Sequence, residues 1–327
     1  CNHQHFDTQY FHDSPDPISI KRFEIEEWFD LAIEFLRDNQ NQPFFLVVAL
    51  GPPHDPYDAP PQYKNLYDPE KLTLSPNWVE GIPHAGRKEI AAYYAAITAI
   101  DDQMARFLHV MDELNLSEDT IVLFTSDHGD MLGSQGLPLK RKPWEESIRV
   151  PGILRYPRKI KPNQVKPGLF SLVNVSPTLL SLCGIAPPSV MQGTDLSAYT
   201  LGLSLESPES AFFQIFGPYR SGKVAEGWRG VRTSRFMYAR TETAPWVLYD
   251  LEKDPHELKN LVGDPQSRQW LHMMDNKLIE WMRKTGDSWS YNWTEPVEDH
   301  AQLYSRKAFE SVEEFLESNE IPLDSVR

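Results

Sequence analysis

Two short segments hold side chains suited to proton transfer and to metal binding. Residues 52–57 place His54 among prolines that restrict the backbone, and an imidazole titrates close enough to neutral pH to exchange protons with a substrate. Residues 126–130 place Asp127 beside His128, which together supply two ligands for a divalent cation. Each segment also has a simpler interpretation, a solvated loop histidine in the first and a helix cap or turn in the second.

A basic segment follows these two clusters in a chain that is otherwise acidic. Residues 140–166 contain nine Lys and Arg and only two acids, whereas the 327-residue chain carries a net charge of −15. Such a segment, which begins at Lys140, can draw an anionic substrate into a cleft, and the alternative is a solvated loop with basic side chains along a rim. The overall acidity argues against non-specific binding of nucleic acid, which requires clustered basic residues.

The elements that must position these residues begin with two apolar runs. Residues 44–50 end shortly before His54, and residues 120–125 end just before Asp127. Continuous runs of this kind predict strands buried on both faces, as in a parallel sheet. Because ligands bind beyond the carboxyl ends of such strands, we expect both clusters and Lys140 to converge in one cleft.

Flanking helices and a change of character after residue 204 complete the predicted organisation. Periodic apolar residues predict three helices, over residues 21–39, 88–114 and 174–183. One more short strand is predicted over residues 150–156. After residue 204, four short strands separated by turns and a helix over 266–283 predict a smaller antiparallel sheet with one helix. We therefore predict an α/β domain, a C-terminal subdomain and an acidic extension, over 1–204, 205–290 and 291–327.

Cysteine content and hydropathy exclude several classes of protein. The chain has two cysteines, Cys1 and Cys183, which are too few for a disulfide framework or a Cys-rich metal site. Cys183 lies in an apolar stretch, which predicts a buried and inert thiol. The longest apolar run, residues 44–50, is far shorter than the about 20 residues of a membrane helix, so no membrane span is expected.

Taken in order, the motifs between residues 20 and 285 are similar to those of one family. The motifs are Pro53-His54-Asp55-Pro56-Tyr57, Ser126-Asp127-His128-Gly129-Asp130, Lys140 followed by Glu145-Glu146-Ser147-Ile148-Arg149-Val150-Pro151, and Trp228-Arg229-Gly230-Val231-Arg232-Thr233. With them the chain resembles the sulfatases of the alkaline phosphatase superfamily. The resemblance implies a mainly parallel sheet flanked by helices, with a smaller C-terminal antiparallel sheet and helix.

The resemblance also implies roles for four residues. Asp127 and His128 would be metal ligands, Lys140 would contact the sulfate oxygens, and His54 would bind sulfate or protonate the leaving alcohol. The implied cation is Ca²⁺, although a nitrogen ligand suits Mn²⁺ or Zn²⁺ better. The substrate would be a small-molecule or carbohydrate sulfate ester, and four aromatic residues could stack on it or simply pack their loop, namely Tyr57, Tyr63, Tyr67 and Trp78.

One departure from the family pattern concerns the nucleophile. Sulfatases carry an early C-x-P-S-R or S-x-P-S-R motif whose Cys or Ser becomes formylglycine, and neither motif occurs in the 327 residues. The paired aspartates that complete the metal site have no counterpart either. We therefore expect a sulfatase fragment that lacks its N-terminal nucleophile segment and is inactive and poorly folded alone. Alternatives are a phosphonate monoester hydrolase or phosphodiesterase of the same superfamily and a non-catalytic, sulfatase-like binding protein; localisation and oligomeric state stay open.

Overall fold

The structure of the protein is a computed structural model that describes residues 5–216 and 227–289. Within them the chain divides into two compact units. The first unit contains the described residues of Cys1–Ser126, Asp130–Leu139 and Pro151–Asn163, and the second contains those of Asp127–Gly129, Lys140–Val150 and Gln164–Arg327. The acidic extension over 291–327 lies outside the described residues, and the three predicted domain ranges stay predictions.

Two amphipathic helices form the core of the first unit. Helices α1 (Glu24–Asn39) and α3 (Arg87–Glu113) confirm the patterns over 21–39 and 88–114. Their apolar residues recur every three or four positions, so each helix has one apolar face. Residues from both faces belong to one hydrophobic cluster. Its buried members include Ile25, Phe29, Ile33, Leu36, Ile100, Phe107 and Met111. The chain between α1 and α3 contains the short helix α2 (Pro61–Lys64) and a 3₁₀ turn, Pro69–Lys71.

The strands of the first unit form two antiparallel pairs. Strand β1 (Thr8–Tyr10) pairs with β2 (Ile18–Ile20), and β3 (Val122–Thr125) pairs with β4 (Gly152–Arg155). Strands β3 and β4 confirm those predicted over 120–125 and 150–156. The prediction of a mainly parallel sheet is wrong for the described residues, since every strand pair in them is antiparallel. An apolar run indicates burial but carries no information on the direction of the neighbouring strand.

Residues 44–50 do not form the predicted strand buried on both faces. They alternate between half-buried and exposed positions, with Phe45 81% and Val47 68% exposed, and no strand is assigned to them. The alternate side chains of Phe44, Leu46, Val48 and Leu50 pack against the α1–α3 cluster. Burial of both faces requires a second covering layer, and the described part of the chain supplies cover for one face only.

The second unit contains the predicted antiparallel sheet and its helix. Strands β5 (Ser210–Ile215), β6 (Trp228–Thr233), β7 (Phe236–Thr241) and β8 (Pro245–Asp250) pair in sequence order. Helix α7 (Arg268–Thr285) follows a 3₁₀ turn, Pro265–Ser267, and covers the sheet. The shared core contains Tyr238, Leu248, Leu271, Met274 and Leu278.

Shorter helices complete the second unit. They are α4 (Glu145–Ile148), α5 (Val175–Leu182) and α6 (Ser197–Thr200), with a 3₁₀ turn at Leu172–Asn174. Helix α5 confirms the pattern over 174–183, but Cys183, just beyond its end, is exposed rather than buried. The apolar stretch failed as a guide because a thiol at a helix end can face solvent while the residues before it are covered. Throughout the described residues, every helix is too short or too polar to span a membrane.

Candidate functional site

The loop that follows residues 44–50 in the first unit holds His54 through backbone contacts. The His54 amide donates to the Gly51 carbonyl at 3.1 Å, and Nδ1 lies 2.6 Å from the Asp55 carbonyl oxygen. A carbonyl only accepts hydrogen bonds, so Nδ1 carries the proton and, in the neutral ring, Nε2 carries the lone pair. The ring is partly exposed, and Nε2 is the atom that the predicted proton exchange or anion binding would use.

Two buried residues that sequence reasoning missed lie behind this loop. His5 Nε2 is 2.6 Å from the His54 carbonyl oxygen, and His5 Nδ1 is 2.7 Å from Glu24 Oε1. Both side chains are buried. No sequence pattern connects position 5 with position 54, because only the tertiary structure brings the start of the chain to this loop.

Asp127 and His128, the two predicted metal ligands, lie side by side in the second unit. His128 Nδ1 lies 2.8 Å from the Gly129 carbonyl oxygen, which places its proton there and the lone pair on Nε2. This Nε2 is 3.5 Å from Asp127 Oδ2, and the Asp127 side chain is 84% exposed. The two atoms therefore converge as neighbouring ligands of one cation would, and one oxygen with one nitrogen suits Mn²⁺, Zn²⁺ or, with further oxygens, Ca²⁺.

The pair supplies part of a metal site. Among the described residues, no cluster of three or more His, Cys, Asp or Glu side chains is placed to hold a metal ion. A Ca²⁺ ion takes six to eight oxygen ligands, of which the Asp127 carboxylate would supply one or two, whereas His128 offers a nitrogen.

Gly129 joins this pair to the segment that carries Lys140. Its amide donates to the Ser147 carbonyl at 2.9 Å, and a Cβ at this position would overlap the Glu146 carbonyl oxygen. Only glycine permits so close a backbone approach. The 127–129 turn and helix α4 of the second unit are thereby held together.

Lys140 lies at a strained point of the backbone. Its neighbours Leu139 and Arg141 have φ values of 62° and 72°, in the left-handed region that non-glycine residues seldom adopt. A hydrogen bond fixes the backbone just after Lys140, since Trp228 Nε1 donates to the Arg141 carbonyl at 3.1 Å. Strain of this kind persists where surrounding contacts over-determine the backbone, and it concentrates at functional sites.

The two units divide the four predicted site residues between them. His54 belongs to the first unit, while Asp127, His128 and Lys140 belong to the second. Within the second unit, the 127–129 turn contacts helix α4, which follows Lys140 in the chain. The expectation that all four side chains share one cleft stays a prediction.

Two family models match most of this chain. The model for "Sulfatase" matches residues 3–185, and the model for "N-sulphoglucosamine sulphohydrolase, C-terminal" matches residues 133–284. The chain belongs to the sulfatase family. It is thereby a member of the alkaline phosphatase superfamily, as the motifs indicate.

Three proteins illustrate the similarity of this sulfatase-family chain to others. It is 33% identical over 295 residues to an ulvan-active sulfatase of Formosa agariphila, with 88% of this chain and 58% of that protein covered. A putative sulfatase of Bacteroides fragilis has a TM-score of 0.79 at 30% identity, over 93% of this chain and 66% of that one. A phosphonate monoester hydrolase of Agrobacterium radiobacter has a TM-score of 0.70 at 22% identity, over 80% and 60%. The chain therefore spans about three fifths of the length of the curated ulvan-active sulfatase.

The C-terminal sheet anchors the Lys140 segment of this sulfatase-family chain. Arg232 on β6 donates to both carboxylate oxygens of Glu145, at 3.1 and 3.2 Å. Glu257 Oε2 accepts the Glu145 amide at 2.9 Å, and Trp144 Nε1 donates to the Tyr249 hydroxyl at 3.1 Å. Burial, reinforced by neighbouring carboxylates, raises the pKa of Glu257 to about 8. Sequence reasoning missed this network because its partners are about 90 to 110 positions apart.

Most charges of the basic segment have structural partners. Arg158 pairs with Asp119 at 2.6 Å and Lys159 lies over the Tyr156 ring in the first unit, while Lys166 lies over the Tyr199 ring in the second. Lys142 is buried, and this burial, together with the charge of Arg141, lowers its pKa to about 8. Local pairing and burial therefore explain these four charges of the segment, and the role of Lys140 stays a prediction.

Packing accounts for the aromatic residues of the 57–84 loop. The Tyr57 hydroxyl donates to Asp130 Oδ2 at 2.8 Å, and Tyr67 shares a 2.7 Å hydrogen bond with Thr98. Trp78 Nε1 donates to the Ala85 carbonyl at 3.2 Å, and Tyr63 packs against the α1–α3 cluster. These contacts favour the packing interpretation over stacking on a substrate ring.

Proposed function

We propose that this chain serves in the hydrolysis of a sulfate ester. Asp127 and His128 supply two ligands of a divalent cation, Lys140 binds the sulfate oxygens, and His54 binds sulfate or protonates the leaving alcohol. The observation that carries the proposal is the convergence of Asp127 Oδ2 and His128 Nε2 in the unit that also contains Lys140. The match to the sulfatase model supports it.

The chemistry follows from where charge develops. A sulfuryl group carries negative charge on its outer oxygens, which a lysine ammonium stabilises, and a bound cation would supply further electrostatic stabilisation. The departing alkoxide needs a proton, which a protonated His54 donates from Nε2. Neither C-x-P-S-R nor S-x-P-S-R occurs in the printed sequence, so the named residues supply charge stabilisation and proton transfer rather than nucleophilic attack.

Carbohydrate sulfates are the first substrates to test. The Formosa agariphila relative is named for its activity on ulvan, and it aligns with 88% of this chain. Small-molecule sulfate esters are the second class, because the aromatic residues of the 57–84 loop are engaged in packing and form no evident platform for a sugar ring.

A phosphonate monoester hydrolase is the second candidate function. The structural similarity to the Agrobacterium radiobacter enzyme shows the common fold, and the nitrogen ligand at His128 is compatible with Mn²⁺ or Zn²⁺. A phosphoryl group also carries its charge on outer oxygens, so Lys140 and the cation would act in the same manner. The two substrates must therefore be compared directly.

The test measures turnover and binding of sulfated carbohydrates, an aryl sulfate and a phosphonate monoester. In a form of the protein that also carries a formylglycine motif, we expect Lys140→Ala and His54→Ala each to lower kcat/KM for a sulfate ester by about 10²–10³-fold. The matched control is Lys161→Ala, at an exposed lysine of the same basic segment. If that form binds the ester without turning it over, the same variants are compared by calorimetry, and a loss of binding in both identifies a binding protein. Near wild-type turnover and binding in both variants contradicts the assigned roles.

A further inference from the structure

The ring of His5 lies between two groups that can only accept hydrogen bonds in their usual forms. Nδ1 is 2.7 Å from Glu24 Oε1, and Nε2 is 2.6 Å from the carbonyl oxygen of His54. A carboxylate and a carbonyl have no hydrogen to donate. Both ring nitrogens must therefore carry protons if both contacts are hydrogen bonds, and a histidine with two protons is an imidazolium.

The site is built to hold this charge away from water. His5 is 4% exposed, and its ring meets Phe23 edge-on at 6.4 Å between centroids. A buried cation requires a partner of opposite charge with good geometry, and the Glu24 carboxylate supplies one. The charged groups that face the ring are Glu24 at the start of α1 and, at longer range, Asp58 of the loop.

Further features join His5 to Glu24 and fix the Glu24 carboxylate beside the loop. The Glu24 amide donates to the His5 carbonyl at 2.9 Å, so the two residues are joined through backbone and side chain. The second carboxylate oxygen of Glu24 accepts from Trp28 Nε1 at 3.3 Å. A Cβ at Gly51 would overlap Glu24 Oε1, so a larger residue there would displace the carboxylate from its contact with His5.

We propose that His5 is a positioning residue which, as an imidazolium paired with Glu24, holds the backbone of His54 through its Nε2–H. The proposal deepens the function proposed above and depends on it only for the role of the His54 ring. Because the His54 amide and carbonyl are both fixed, by Gly51 and by His5, the ring starts from a defined backbone.

The expected pH dependence follows from the same contacts. Burial alone disfavours the imidazolium, yet the hydrogen bonds to Glu24 and to the His54 carbonyl outweigh it and raise the pKa of His5 above its ordinary value. Because the pKa is raised, protonated His5 contributes its full stabilisation of the folded protein below the ordinary histidine pKa of about 6.5. This contribution disappears as pH rises through the folded-state pKa of His5. The His54 loop should loosen on that alkaline side.

The test uses NMR of the 327-residue protein labelled with ¹⁵N-histidine. At pH 6 we expect both His5 ring nitrogens at the shift of protonated nitrogens, with a titration midpoint above 6.5. The backbone amide of His54 should move with the same midpoint, which a merely structural histidine would not cause. A single protonated nitrogen at pH 6, or a His54 amide that ignores the His5 titration, overturns the proposal.

Variants test the contact itself. In His5→Phe, which keeps an aromatic ring without donors, the His54 signals should shift and lose the coupled titration, and His5→Gln should restore their position in part. The control is His109→Gln, at an exposed histidine 3.3 Å from Glu113 on α3, which should leave His54 unchanged. If His5→Phe fails to fold, the wild-type titration still decides.

Turnover measured in parallel separates this proposal from the function it builds on. Coupled titration in a protein that neither binds nor hydrolyses a sulfate ester leaves His5 as the residue that holds the loop and overturns the proposed function. Turnover in a protein whose His54 amide does not titrate with His5 supports the proposed function and overturns the proposal for His5. Where both hold, we expect His5→Phe to lower kcat about tenfold or more with little change in KM.

Discussion

Backbone carbonyls orient both histidines of the candidate site. His54 and His128 each place Nδ1 within 2.8 Å of a carbonyl oxygen belonging to the following residue, Asp55 and Gly129 respectively. The consequence is the same in both cases, since Nε2 becomes the atom that can take a proton, an anion or a metal. The same type of hydrogen bond to the backbone therefore orients His54 for its proposed proton transfer or anion binding and His128 for its proposed metal binding.

Glu257 gives a prediction at the level of a single residue. Its pKa, raised by burial from the ordinary 4.5 to about 8, means that the folded protein holds a proton that the unfolded chain releases. Stability should therefore fall as pH rises from about 4.5 to 8, by up to about 1.4 kcal/mol per pH unit. Glu257→Gln keeps an oxygen to accept the Glu145 amide but cannot ionise, so this pH dependence should disappear.

Denaturant unfolding at pH 5, 6, 7 and 8 provides the measurement. The matched control is Glu252→Gln, since Glu252 lies nearby in the chain with a 72% exposed side chain. It should retain the wild-type slope. A Glu257→Gln variant with an unchanged slope would show that another group titrates.

At the scale of elements, residues 44–50 show how one layer of helices selects the inner side of an extended segment. Alternate side chains cover the α1–α3 cluster, where the Phe44 ring meets Phe35 edge-on at 5.7 Å. The intervening side chains of Phe45 and Val47 point away from it and are exposed. Neighbouring exposed apolar side chains on extended backbone are a recognised aggregation hazard.

Substitution on the two sides of this segment should have opposite effects. Phe45→Ser with Val47→Thr should lower binding of a hydrophobic dye and raise the soluble yield, with stability changed by about 0.5 kcal/mol or less. Phe44→Ser with Leu46→Thr is the matched control and should lower the free energy of unfolding by about 2 kcal/mol, because it removes contacts with the helices. Dye fluorescence, soluble yield and denaturant unfolding measure these outcomes. Equal effects of the two double variants would refute the assignment of inner and outer sides.

For the whole molecule, the proposed chemistry has to work in a strongly acidic chain. The net charge of −15 opposes the approach of the anionic ester that we propose as substrate, so under this proposal positive charge from Lys140 and a cation offsets it. Among the described residues, the proposal assigns the cation one carboxylate and one imidazole, those of Asp127 and His128, and this small number of ligands limits the expected affinity.

Metal titration tests this limit. We expect Ca²⁺ and Mn²⁺ to bind the 327-residue chain with a Kd of about 10⁻³ M or weaker. A cation at ten times its Kd would then stabilise the fold by about 1.4 kcal/mol, measured as a rise in Tm. Asp127→Asn should abolish the rise, and Asp13→Asn, at a fully solvated carboxylate, should preserve it. Equal stabilisation of both variants would place the cation elsewhere.

The sequence alone determined the residue types at the candidate site, the two long helices and the C-terminal sheet. Helices α1 and α3 and strands β5 to β8 have apolar periodicities strong enough to indicate their structure, and the ordered motifs indicated the family. These features are local, because each depends on the spacing of residues within a single segment.

Only the tertiary structure decided the contacts between distant segments. Strand direction could not be predicted, because an apolar run indicates burial and not the direction of the neighbouring strand. The exposure of Phe45 depended on which layers of the fold cover residues 44–50. The pairing of His5 with Glu24 and His54, and of Arg232 and Glu257 with Glu145, joins positions that share no pattern. The physical reason is that burial and hydrogen bonding act on atoms close in space, and chain spacing constrains these only within a single element.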